Sequence, residues 1–300
     1  MSRPGPTGPR AECRAEGNRA RHGVRRWLTV VALACTDAGA GPCVVLLHGH
    51  PFDRSLWSPQ VRGLATRFRV VAPDLRGFGE SPVTPGCVAL PDYAGDVEEL
   101  LDRLGVAHAA LIGLSMGGLV AMELATANPS RWWALGLVAT TAEPVTPQEQ
   151  RVRRERADQV ERYGIQVLVD YMHTGLYGSR ATPAVRDFVD RMMAQAPAQG
   201  AAAALRGRAE RPDYRPRLKA LDLPTLVCTG SEDPWSHAAV TAEIVAHLQR
   251  PDTLLIEGAG HLPNLEAEPV FTAALSDFLS RHAPARSGPR EDEGQPGTGV

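Results

Sequence analysis

The chain has 300 residues, 43% hydrophobic and 22% charged, with a formal net charge of −2. This is an ordinary soluble globular composition, with room for one α/β domain plus an insertion. The near-neutral balance excludes the basic signature of a nucleic-acid binder or of a protein drawn to an anionic membrane.

In chain order, residues 1–23 are rich in Arg, Pro and Gly without an apolar period, which predicts a disordered tail. Arg25-Arg26 and the apolar run from Trp27 to Cys35 have two readings. One is a short export signal ending at a lipoprotein-type cysteine. The preferred one is a first edge strand turning at Asp37-Ala38-Gly39-Ala40-Gly41, because cleavage at Cys35 would cut just ahead of the next core strand.

Six later runs have strand length: Cys43 to Leu47, Arg69 to Ala72, Ala109 to Leu114, Ala134 to Val138, Thr225 to Cys228 and Thr253 to Ile256. Continuous apolar runs suit strands covered on both faces, as in a parallel sheet. Between them, Tyr93, Val97, Leu100, Leu101 and Leu104 form a helical stripe that Gly105 can close. Phe271, Ala274, Leu275, Phe278 and Leu279 form another, with Pro269 in its first turn.

The alternation breaks across residues 142–216, where helical segments run from Gln148 to Arg162, Ile165 to Met172 and Pro183 to Met193. The expected fold class is therefore α/β, a doubly wound, mostly parallel sheet. Its core is expected to comprise residues 24–141 and 217–282, with residues 142–216 as an inserted helical cap and residues 283–300 as a second disordered tail. Five cysteines lack metal-ligand spacing and no run is long enough to cross a bilayer, so free thiols in a reducing cytoplasm are expected.

Gly113-Leu114-Ser115-Met116-Gly117 matches G-x-S-x-G, between an apolar strand and a helix from Leu119 to Ala127. A sharp strand-to-helix turn needs glycines on both sides of the serine and lifts its Oγ off the sheet. The Met116 N–H then points at a developing oxyanion from a helix N-terminus.

A serine hydroxyl needs a base within hydrogen-bond reach, and for this fold the chain order is serine, acid, histidine. Asp233 and His261 both follow predicted strands at the edge that carries Ser115. Glu232 is the alternative acid; Asp222 and Asp252 lie at the other edge. His247 and His282 fall on helical or tail segments and His237 opens a helix, which points to surface or capping roles. The loop His48-Gly49-His50-Pro51 can supply the second oxyanion donor, assigned to the His50 N–H with Phe52 as runner-up; Pro51 has none to give. The His48 ring is expected to pack under the loop and the His50 ring to be structural or to line the pocket. Met172, Met192 and Met193 are read as packing within the insertion, and Trp235 as facing either the pocket or the core.

These features resemble the α/β-hydrolase superfamily. The residues that carry the resemblance are His48-Gly49-x-Pro51 with Trp57, Asp74-x-Arg76-Gly77-x-Gly79-x-Ser81, the Gly113 to Gly118 elbow, Gly230-x-x-Asp233 and Gly260-His261. It spans about Val24 to Arg281. The Asp53 to Trp57 stretch is similar to cap-bearing esterases and lactonases, including 3-oxoadipate enol-lactonase-like enzymes. The resemblance implies Ser115 as nucleophile, Asp233 as acid and His261 as base, and reads the Asp74 to Ser81 loop as holding the fold. Haloalkane dehalogenases and epoxide hydrolases share His48-Gly49-x-Pro51 but carry aspartate where this chain has Ser115.

The expected function is hydrolysis of a small carboxylic ester or lactone through an acyl-enzyme, with a small-molecule acyl substrate, no metal or organic cofactor, and a homo-oligomer left open. Carbon–carbon bond hydrolysis, thioester hydrolysis and acyl transfer are alternatives on the same triad. A non-catalytic ligand-binding protein of the same fold is the alternative from another class.

Overall fold

The computed structural model describes residues 29–285. The expected strands assemble into one seven-stranded sheet: β1 (Cys35–Ala38), β2 (Cys43–Leu47), β3 (Arg69–Pro73), β4 (Ala109–Leu114), β5 (Trp132–Val138), β6 (Pro224–Gly230) and β7 (Arg250–Ile256), ordered β1-β3-β2-β4-β5-β6-β7. Only β1 pairs antiparallel, with β3; the other pairings are parallel. Strands β2, β4 and β6 are buried at every position, as side chains apolar on both faces require.

Helices α1 (Ser58–Leu64), α2 (Leu90–Arg103) and α3 (Met116–Ala127) form the first crossovers. Five more lie between β5 and β6: α4 (Pro147–Tyr163), α5 (Gln166–Met172), α6 (Pro183–Gln195), α7 (Ala198–Arg208) and α8 (Arg215–Leu218). Helices α9 (Ala238–Val245), α10 (Pro263–Glu266) and α11 (Glu268–His282) complete the chain order. With the right-handed crossovers that parallel strands require, the strand order puts α1 on one face and α2, α3 and α9 on the other; α2 packs on α3, and α11 returns beside α1. The chain steps from β2 outward to β3 and then back across to β4. That reversal leaves a crevice at the carboxyl ends of β2 and β4, where open α/β sheets place ligand chemistry.

Four features depart from the sequence reading. The first strand begins at Cys35, within the end of the apolar run, and extends into the expected turn. Upstream of it, the Val31 and Ala34 N–H groups donate to Asp96 Oδ1 and Ser81 Oγ instead of to a ladder. Strand β7 is the opposite edge, and only Ile256 of it is buried, with Leu255 51% exposed. Helix α7 was not expected, because its Ala-Ala-Ala-Ala core has no apolar stripe. It is buried because its backbone lies directly on the core: a Cβ on Gly200 would stand 2.0 Å from the Gly77 carbonyl, and the Val88 N–H donates to the Ala203 carbonyl. Finally, Cys35, Cys43 and Cys228 are free thiols. Cys87, on a surface loop instead of inside a strand, is disulfide-bonded.

The tails expected before residue 24 and after residue 282 lie outside the described residues, apart from 283–285, as do Arg25 and Arg26. Among the described residues, no helix is long and apolar enough to cross a membrane.

Candidate active site

Ser115 is the junction between β4 and α3, held at φ +53° and ψ −112°. A non-glycine residue at positive φ costs about 1–3 kcal/mol and needs surroundings that impose it. Here they are backbone bonds. The Ser115 N–H donates to the Val138 carbonyl at 2.8 Å, and the Ser115 carbonyl accepts from Gly118 and Leu119 N–H and from the Thr140 hydroxyl. The flanking glycines are sterically required, because a Cβ on Gly113 would stand 2.2 Å from the Gly117 carbonyl, and one on Gly117 would stand 2.2 Å from the Leu47 carbonyl. Ser115 remains partly exposed while Leu114 and Met116 are buried.

The loop after β2 closes on this elbow, and a Cβ on Gly49 would stand 3.2 Å from Ser115 Cβ. Among the described residues, neither the His50 nor the Met116 N–H donates to a protein acceptor, whereas the Phe52 N–H is committed to the Gly49 carbonyl at 3.1 Å. His48 supports the loop from below. Its Nε2 accepts from the Leu75 N–H at 2.8 Å, which leaves Nδ1 to donate to the Gly49 carbonyl. His50 Nε2 bonds the Ala201 carbonyl of α7, and both rings meet Phe78 edge-on. Burial lowers both imidazoles below their ordinary values, and for His50 the charges of Arg208 and Arg153 add to it.

At the ends of β6 and β7, His261 Nδ1 bonds Asp233 Oδ2 at 2.8 Å with both residues buried. Asp233 also accepts from the Trp235 and Ser236 N–H groups and from the Ser236 hydroxyl. Burial alone would raise its carboxyl, but the charge of His261 and these hydrogen bonds outweigh it and hold it at about 2. Glu232 points elsewhere, accepting from the Ser179 N–H and hydroxyl. Asp252 pairs with Arg281 and Asp222 with Arg250, while His247 bonds the Glu243 carbonyl, His237 is exposed and His282 lies against Phe278. Among the described residues, neither the Ser115 hydroxyl nor His261 Nε2 enters a hydrogen bond, so the structure joins Asp233 to His261 but does not join His261 to Ser115. Nor does any group of three His, Cys, Asp or Glu side chains there stand ready to hold a metal ion.

Three contributions were not foreseen. Trp235 meets His261 edge to face and stacks on Tyr171. Glu266, buried in α10, accepts from the Gly178, Gly260 and Leu262 N–H groups, while the His261 N–H donates to the Leu176 carbonyl, so the histidine loop is tied to the segment between α5 and α6. Arg153 on α4 and Arg208 at the end of α7, 55 positions apart in a sequence crowded with arginine, both act on the His50 ring through their charge. Met172, Met192 and Met193 are buried packing residues. The Asp74 to Ser81 loop is self-bonded: Asp74 accepts from the Arg54 and Glu80 N–H groups, the Ser81 hydroxyl donates to the Asp74 carbonyl, and Arg76 pairs with buried Asp96.

Comparison with known proteins returns a family model described as the alpha/beta hydrolase family, matching residues 44–275. The chain is 31% identical over 241 residues to 3-oxoadipate enol-lactonase 1 of Acinetobacter baylyi, covering 79% of this chain and 88% of that protein. Among solved structures, a thermophilic esterase from Thermogutta terrifontis superposes with TM-score 0.83 at 37% identity, over 85% of this chain and 95% of that one. The enol-lactonase of Burkholderia xenovorans gives TM-score 0.77 at 28% identity, over 83% and 97%.

Proposed function

The chain belongs to the alpha/beta hydrolase family, and from that premise we propose that it is a carboxylic ester hydrolase that cleaves a small ester or lactone through an acyl-enzyme on Ser115. The observation that carries this reading is the strained elbow, with a partly exposed serine at positive φ beside two N–H groups that have no acceptor among the described residues. Strain of this kind persists where it does something, here by presenting a hydroxyl at the mouth of the sheet.

In the proposed reaction, Ser115 Oγ attacks the carbonyl carbon as His261 Nε2 takes its proton. Asp233 fixes the imidazole tautomer through Nδ1 and stabilises the imidazolium. The carbonyl oxygen, now negative, is held by the His50 and Met116 N–H groups, each worth about 3–4 kcal/mol in comparable sites. His261 returns the proton to the leaving alcohol and then activates water, which releases the acid and regenerates Ser115. The step needs His261 and Ser115 brought within hydrogen-bond reach, which such sites commonly achieve only with substrate bound. Helices α4–α8 act as the cap that selects the substrate. The free thiols support a cytoplasmic location, and the Cys87 bond is the feature that runs against it.

A fluorophosphonate probe tests this reading. It should label the wild-type protein stoichiometrically and leave Ser115→Ala unlabelled, with ester turnover falling by up to roughly a million-fold. Substantial turnover by Ser115→Ala would overturn the mechanism, and failure of the wild type to label would favour a ligand-binding protein. Product analysis with ester, thioester and diketone donors separates hydrolysis from acyl transfer and carbon–carbon cleavage.

A further inference from the structure

The end of β5 holds the elbow from two sides. The Val138 carbonyl accepts the Ser115 N–H at 2.8 Å, and two residues further on the Thr140 hydroxyl donates to the Ser115 carbonyl, also at 2.8 Å. The residue between them is strained. Ala139 is buried at φ +47°, and its N–H is tied to β6 through the Cys228 carbonyl at 2.8 Å. Among the described residues, Ser115 and Ala139 are the non-glycine residues at positive φ, and they follow neighbouring strands at the same edge. A left-handed alanine is unfavourable and persists only where its surroundings impose it. Here the turn brings the buried Thr140 side chain onto the first turn of α3. The contact is close enough that a Cβ on Gly118 would stand 2.8 Å from it, which gives the glycine after the elbow motif its use.

The Ser115 carbonyl already has two partners in α3, the Gly118 N–H at 3.0 Å and the Leu119 N–H at 3.2 Å. The hydroxyl is a third, and it acts on more than the carbonyl. That C=O belongs to the same peptide unit as the Met116 N–H, and in a trans peptide the two point in opposite directions within one plane. Whatever fixes the Ser115 C=O therefore fixes the aim of the Met116 N–H. A hydrogen bond accepted at the oxygen also polarises the unit and makes its N–H a stronger donor.

We propose that Thr140 is a positioning residue of the reaction: its hydroxyl fixes and polarises the Ser115–Met116 peptide, so that the Met116 N–H is aimed at the oxyanion and holds it more tightly. This inference rests on the hydrolase reading above and adds a residue to its machinery. The benefit falls in the transition state, because full negative charge on the substrate oxygen exists only there. Acylation and deacylation both pass through such an oxyanion, so kcat responds whichever step limits it.

The test compares Thr140→Val, which keeps the branched shape and removes the donor, with Thr140→Ser, which keeps the donor. In both, the Ser115 carbonyl retains its two α3 bonds, so no buried acceptor is orphaned. With 4-nitrophenyl butyrate, Thr140→Val should lower kcat about tenfold at nearly unchanged KM, short of the hundredfold or more that loss of a whole oxyanion donor costs, and Thr140→Ser should restore most of the rate. The second readout is inhibition by 1,1,1-trifluoroheptan-2-one. Ser115 Oγ adds to its carbonyl carbon, the C=O π pair moves onto oxygen, and the Ser115 proton passes to His261 Nε2. Thr140→Val should weaken this inhibitor by the same factor as kcat and leave inhibition by heptan-2-one, which stays a ketone, unchanged. If Thr140→Val folds poorly, Thr140→Ala against Thr140→Ser carries the comparison. Wild-type kcat in Thr140→Val, an equal loss in Thr140→Ser, or equal weakening of both ketones would overturn the proposal alone. A wild type that neither cleaves the ester nor binds the trifluoromethyl ketone would overturn the hydrolase reading and this proposal with it.

Discussion

Trp235 stands perpendicular to the His261 imidazole, with ring centroids 4.9 Å apart and planes at 86°. On Trp235 lies Tyr171, and over Tyr171 lies the Arg156 guanidinium, 3.3 Å from the ring centroid. The ring that must accept a proton is thus braced by an indole that is itself braced by the inserted helices. Perpendicular aromatic contacts are worth about 0.5–1.5 kcal/mol beyond burial. Trp235→Ala should therefore lower kcat about tenfold with a smaller change in KM, and Trp235→Phe should retain most of the rate. Steady-state kinetics on one ester checks this; an equal loss in both variants would mean that the contact does not position His261.

Glu266 acts on the same histidine through the backbone. Its two oxygens receive three N–H groups from both sides of the His261 loop and from the segment after α5. Glu266→Gln keeps the shape but turns one acceptor into an NH2 group facing a donor, which costs about 2 kcal/mol. Thermal unfolding should show Tm lowered by roughly 5 °C, and kinetics should show kcat falling more than KM rises. A variant with wild-type Tm and kcat would show that Glu266 is not a positioning residue.

Asp233 gives the protein an acid-labile component of stability. Its carboxyl sits at about 2 in the folded chain, against ~3.9 in an unfolded one. The unfolded state therefore binds the extra proton, so this contribution is fully present above pH ~4 and disappears as pH falls through the folded value. Between pH 5 and 2 the wild-type Tm should drop more steeply than that of Asp233→Asn, which has no such proton to bind. Parallel Tm profiles for the two proteins would refute this.

The parts of the fold legible in the sequence are those where one residue type has one physical use. Continuous apolar runs became β2, β4 and β6, and Gly113 and Gly117 bracket a turn that tolerates no Cβ. Asp233 and His261, 28 positions apart, were brought into contact by strand order alone. Contacts between groups of mixed use stayed hidden. Nothing in the sequence marks Glu266 as a receiver of backbone N–H groups instead of a solvated acid on a short helix. Arg208 resembles every other arginine until its lack of a hydrogen-bond partner among the described residues is seen in space. Leu254 and Leu255 read as core and lie on an edge, because burial there depends on whether another strand follows.

The direct seating of α7 on the core has one more consequence. Without intervening side chains, no rotamer change can loosen that contact, and a shift of even an ångström would drive Gly200 into Gly77 or break the bond between Val88 and Ala203. Helix α7, and the Arg208 at its end, therefore behave as fixed masonry beside the oxyanion loop.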